Sequence, residues 1–204
     1  MTPRFVVLHY TAMATADAAI ERLCDPASDV SAHYVICKSG RVTQLVPEGL
    51  RAWHAGAGEW RGLTDINSRS IGIELDNDGQ TPFAEPLMHS LEHLLTGILS
   101  AWNIPPENVI GHSDMAPGRK FDPGPRFDWA RLEAQGLAGR RGHDIGPSDP
   151  TPQGFAQVAK QAGYTADVDP DTLLAAVRLR YRPFETGPLD PQDYTPLGHA
   201  ARWA

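Results

Sequence analysis

Short β-branched runs alternate with helix-patterned segments along the first two thirds of this chain, and that alternation is what most constrains the fold. FVVLHYT (5–11) is apolar and reads as a buried strand, and 14–24 follows with helical spacing and a Thr start suited to a cap. Residues 32–46 hold two short alternating stretches around Lys-Ser-Gly, the pattern of a hairpin. Residues 49–70 are loop-like, and SIGIELDN (70–77) reads as a strand with a carboxylate near its end. The clearest helix spans 85–103, with apolar residues at 87, 88, 91, 94, 95, 98 and 99. VIGH (109–112) is a brief strand, and 127–137 a closing helix with Asp128 as its N-cap. The expected architecture is α/β: a mixed central β-sheet flanked by helices, with a small C-terminal helical module.

The module follows from composition. Residues 138–152 are dense in Gly, Pro and charge, like a linker, and three short helical segments come after, at 151–164, 169–183 and 195–204. The expected division is a main domain over 1–140, a linker over 141–151 and a helical module over 152–204. About fifty residues make a marginal core alone, so the module is expected to pack on the main domain. Its candidate core residues are Phe155, Val158, Leu173, Leu174, Val177, Tyr181, Leu197 and Trp203.

A formal charge of -7 argues against general affinity for nucleic acid or anionic lipid, although Arg178, Arg180 and Arg182 form a candidate basic patch. No apolar run is long enough to span a membrane. The N-terminal apolar run, FVVL, is too short for a signal peptide, so the chain reads as cytoplasmic, or periplasmic if a signal has been removed. Cys24 and Cys37 lack CxxC spacing and read as reduced, mostly buried thiols.

The chemistry concentrates in GHSDMAPGRKFDPGPRFDW (111–129), read together with His9. A lone His at a strand end is more often structural than a ligand. In combination, His9, His112 and Asp122 offer two imidazoles and a carboxylate. Three protein ligands with a fourth position left for water are the mark of a catalytic zinc site, and the chain then reads as a metallohydrolase.

The strings VVLHYTA, SAHYVI, AWHAG, SIGIELDN and GHSDMAPGRKFDPGPRFDW, in that order, resemble the zinc-dependent N-acetylmuramoyl-L-alanine amidases of the AmpD and AmiD type, relatives of phage lysozyme-type amidases and peptidoglycan recognition proteins. The resemblance covers residues 4–137. It implies Zn²⁺ on His9, His112 and Asp122, muropeptide fragments of peptidoglycan as partners, and cleavage between N-acetylmuramic acid and L-Ala. Glu74 matches the family's catalytic glutamate; independently, a hydrolase needs a base for water and then an acid for the leaving amine. Lys120, two residues before Asp122, is placed to stabilise an oxyanion. Trp53 and His54 resemble a substrate-contacting loop. Arg119 is either structural or a contact to a substrate carboxylate. His33 either supports the zinc cleft or is a satisfied core histidine, and Asn67 either fixes the loop before Glu74 or touches the peptide. His89, His93, His143 and His199 read as surface helix or linker positions. The tail loosely resembles a three-helix peptidoglycan-binding domain; a packing appendage is the alternative.

Overall fold

The computed structural model describes residues 1–198. Its sheet has five strands: β1 (Phe5–Tyr10), β2 (Tyr34–Ile36), β3 (Val42–Gln44), β4 (Ser70–Leu75) and β5 (Val109–Gly111), in the order β3-β2-β4-β1-β5. β1 runs parallel to β4 and β5, β2 runs parallel to β4, and β3 closes one edge antiparallel. β1 lies between β4 and β5 and is covered on both faces, which is why its sequence is a continuous apolar run rather than an alternation.

Alternation still sorts its side chains. Val6 and Leu8, with Ile71, Ile73 and Leu75 of β4, face α2 (Glu85–Trp102), which presents Leu87, Met88, Leu91, Leu95 and Ile98. Phe5 and Val7, with Ile110, face the other way. They are covered there by Phe155 and Ala159 of α5 (Pro152–Ala162) and by Leu173 and Val177 of α6 (Pro170–Tyr181), so the tail helices and the sheet share one core. The remaining helices, numbered in chain order, are α1 (Ala16–Cys24), α3 (His112–Met115), α4 (Trp129–Ala134) and α7 (Pro191–Tyr194).

Local chemistry sets the boundaries. Thr15, Asp128, Thr151 and Asp169 each cap a helix by accepting a backbone N–H. The hairpin turn needs a glycine at position 40: its φ is +88°, and a Cβ there would lie 2.8 Å from the carbonyl oxygen of Pro86.

Several expectations are corrected. Arg178 and Arg180 are not a surface patch; both are buried and ion-paired, to Asp193 and Asp114 respectively, and Arg182 also pairs with Asp193. Cys24 is exposed; Cys37 is buried, and both are free thiols. The closing helix of the main domain is short, over 129–134, and a single helical turn, α3, occupies 112–115, where the end of a strand and then loop were expected. Of the last expected helix, 195–204, the described part is a 3-10 turn over 195–197, directly after α7; His199 and Trp203 lie outside the described residues.

Candidate active site

Strand order brings the chemistry together at the carboxyl ends of three neighbouring parallel strands, where ligand sites on such sheets usually lie. His9 is the fifth residue of β1 and pairs in register with Glu74 on β4. His112 directly follows β5, and Asp122 returns along the loop behind it. His9, Glu74, His112, Lys120 and Asp122 line one cavity of about 320 Å³, with Trp53, His54 and Arg119 on its walls.

His9, His112 and Asp122 are all buried, and their ligand-type atoms lie within 4.8 Å of one another. Asp122 Oδ2 sits 2.8 Å from His9 Nδ1 and 3.0 Å from His112 Nδ1. Hydrogen bonding decides what this trio can hold. His112 Nε2 donates to the carbonyl oxygen of Ala55 at 2.8 Å, and a carbonyl can only accept. A neutral His112 therefore carries its lone pair on Nδ1, facing a carboxylate oxygen that also only accepts. Two acceptors at that separation need a proton or a metal cation between or beside them. The donor set fits a borderline-soft divalent ion such as Zn²⁺, and the Ala55 carbonyl orients the ligand in the way partners behind metal-bound histidines do.

Electrostatics point the same way. Burial, and then the neighbouring His112, lower the pKa of His9 to about 4, with Asp122 opposing, so His9 is neutral at pH 7, as a ligand must be. Burial would raise Asp122, but the two imidazoles packed against it, His112 and His9, outweigh that and hold the carboxyl ionised, well below the usual range. Glu74 is raised to about 8 by burial and by Asp122, against the opposing charge of Lys120. A carboxyl that titrates near neutrality can both take and return a proton.

The layer behind these residues was only partly legible. His54 Nδ1 lies 3.0 Å from His9 Nε2 and its Nε2 lies 3.2 Å from Ser70 Oγ. Its ring rests on Gly72, where an added Cβ would come within 2.4 Å of it. His54 therefore backs His9 while also lining the cavity. Asn67 is buried; its Oδ1 accepts from the backbone amides of His54 and Ala55, so it fixes that loop. Of the two readings of His33, the structure favours the satisfied core histidine: it is 0% exposed and bonded to the carbonyl of Leu50 and the amide of Gly72. Arg119 is tied to the carbonyls of Ala55 and Ala57, which orders the loop opposite. Trp53 stands 55% exposed on the rim, with the Arg51 guanidinium 4.0 Å from its ring centre.

Asp114 escaped the sequence reading. Its Oδ2 accepts from the Gly111 amide at 2.7 Å and from Arg180 at 2.5 Å, and its Oδ1 accepts from Tyr164 at 2.7 Å. Its side-chain partners Tyr164 and Arg180 lie 50 and 66 residues away and leave no signal beside it in the sequence.

Residues 1–125 match the family model for N-acetylmuramoyl-L-alanine amidase. The chain belongs to that amidase family. It is 36% identical to N-acetylmuramoyl-L-alanine amidase AmiD of Escherichia coli, over 88% of this chain and 75% of that protein. It is 42% identical to 1,6-anhydro-N-acetylmuramyl-L-alanine amidase AmpD of Haemophilus influenzae, over 50% of this chain and 56% of that one, so it spans about half the length of this second relative. Among solved structures, E. coli AmiD in complex with the substrate anhydro-N-acetylmuramic acid-L-Ala-D-gamma-Glu-L-Lys superposes with a TM-score of 0.89 at 30% identity, covering 99% of this chain and 90% of that one. The likeness to AmiD thus extends through the tail helices, beyond the part the family model matches.

Proposed function

We propose that this amidase is zinc-dependent and hydrolyses the amide between the lactyl group of N-acetylmuramic acid and the L-Ala of peptidoglycan stem peptides, with soluble anhydromuropeptides of cell-wall recycling as its substrates. The observation that carries the reading is the convergence of His9, Glu74, His112 and Asp122 from three strand ends into one cavity. His9, His112 and Asp122 hold the ion. When bound, Zn²⁺ supplies Lewis acidity: water that is acidic near neutral pH and a polarised carbonyl.

The chain's own residues do the rest. Glu74, on the strand beside His9, takes the proton of the attacking water. Its burial and the neighbouring charge of Asp122 hold that proton until it passes to the departing L-Ala amine. Lys120 lies on the same cavity wall and stabilises the negative charge on the lactyl oxygen in the tetrahedral state. His54 and the Ala55 carbonyl keep the imidazoles turned toward the ion, and the exposed face of Trp53 offers a contact for the sugar or peptide. The choice of anhydromuropeptide is supported by the AmiD relative, whose solved complex holds an anhydromuramyl tripeptide.

Digestion of purified sacculi and of isolated anhydromuropeptides, with mass analysis of the products, tests this. Release of a free L-Ala-terminated peptide, faster from the anhydromuropeptide, is expected. Cleavage at another bond would sink the assigned reaction, and faster release from sacculi would move the substrate to polymeric peptidoglycan.

A further inference from the structure

A second pair of histidines lies on the outer surface of the fold, away from the cavity. His89 and His93 are four residues apart on α2, so they project from one helix face, and both are exposed. Their Nε2 atoms are 3.0 Å apart, their ring centres 4.5 Å apart, and their planes at 90°.

These distances distinguish two arrangements. Two imidazoles bound to one ion through metal–nitrogen bonds of about 2.1 Å at a right angle place the nitrogens about 3.0 Å apart and the ring centres about 4.7 Å apart. A straight N–H···N bond of the same length spreads the ring centres to about 5.4 Å. The protein contains an example near each. His9 and His54 have nitrogens 3.0 Å apart with ring centres at 5.1 Å. His9 and His112, which converge on one oxygen of Asp122, have ring centres at 4.5 Å. The His89–His93 pair reproduces the converging spacing.

We propose that His89 and His93 form a second metal site, a bidentate clamp for a divalent transition cation of the Cu²⁺, Ni²⁺ and Zn²⁺ class. Two imidazole nitrogens select such ions over Mg²⁺ and Ca²⁺, with Cu²⁺ bound most tightly. The carboxylates nearby do not complete the shell. Glu85 and Glu92 are both held by Arg131, so water fills the other positions. With two protein ligands against three, this site is weaker than the one in the cavity, and its solvent-facing positions stay open. The nitrogens meet only when α2 is helical, so the ion stabilises the folded chain by mass action.

The test uses the full chain loaded with zinc, Cu²⁺ as the probe, and H89Q, H93Q and H112A variants. Electron paramagnetic resonance should show one further Cu²⁺ per chain with two equatorial nitrogens, present in wild type and in H112A. Because loss of an outer-shell partner alone costs metal sites 10–100-fold, losing a ligand in H93Q or H89Q should weaken that Cu²⁺ by at least about tenfold. Added Ni²⁺ should raise the melting temperature of wild type and not of H93Q. Both glutamine variants alter exposed positions, and circular dichroism checks that they keep their helices. A wild type that takes up no second ion, a two-nitrogen signal unchanged in H93Q, or one that disappears in H112A would overturn the proposal.

Discussion

Arg180 of α6 and Asp114 of α3 form a buried ion pair, Nη1 to Oδ2 at 2.5 Å, that ties the tail helices to the turn carrying His112. Arg180 also lies 3.9 Å over the Trp129 ring, and Tyr164 donates to the other oxygen of the same carboxylate. Arg180→Met leaves Asp114 as an uncompensated buried charge, which typically costs about 3–5 kcal/mol. Denaturant unfolding should show a loss of that order. The turn holding His112 should loosen as well, so metal affinity, measured on the still-folded protein, should fall with it. An unchanged unfolding midpoint would mean the pair is not a tie.

Removal of a ligand separates metal from fold. His112→Ala is expected to abolish stoichiometric zinc in the cavity and to abolish turnover. In wild type, a chelator should remove both, and added zinc should restore both. Full activity in a preparation shown to be metal-free rejects the zinc dependence.

Glu74→Gln should keep the ion and lose turnover by about 10²–10⁴-fold, because an amide cannot accept the proton of water. Lys120→Ala should lower kcat by roughly 10²–10³-fold if its ammonium meets the oxyanion. Metal content measured beside kcat distinguishes these roles from a collapsed site.

Asp193 makes the tail sensitive to acid. Burial would raise its pKa, but hydrogen bonds from Arg178, the Asp190 amide and Arg182 outweigh it and hold the carboxyl below its ordinary 3.8. A depressed folded pKa means stability that is present above the unfolded value and lost as pH falls through the folded one. Asp193→Asn should therefore be less stable than wild type at pH 7, and the gap should narrow below about pH 4. A gap that stays constant from pH 7 to pH 3 contradicts this assignment.

Truncation after Gly139 should expose Phe5, Val7 and Ile110, which the tail helices cover. The truncated chain is expected to be less soluble and less stable, since it uncovers one whole face of the sheet. A truncated chain as stable as the full one would show that the main domain folds without its tail.

The sequence by itself determined the elements and the chemistry. Its apolar periodicity marked the strands and α2, its Thr and Asp caps marked helix starts, and His9, Glu74, His112, Lys120 and Asp122 stand in motifs whose residue types already imply a hydrolytic centre. These are local properties, carried by neighbours along the chain. Tertiary structure alone decided what depends on partners distant in sequence. Strand order put Glu74 beside His9 rather than at a remote edge. It turned His33 and Asn67 inward, where hydrogen bonds consume them. It converted Arg178 and Arg180, which read as surface charge, into buried pairs, because a charge that enters a core must meet its opposite there, and Asp193 and Asp114 are recruited from 15 and 66 residues away. No local pattern along the chain records a meeting of that kind.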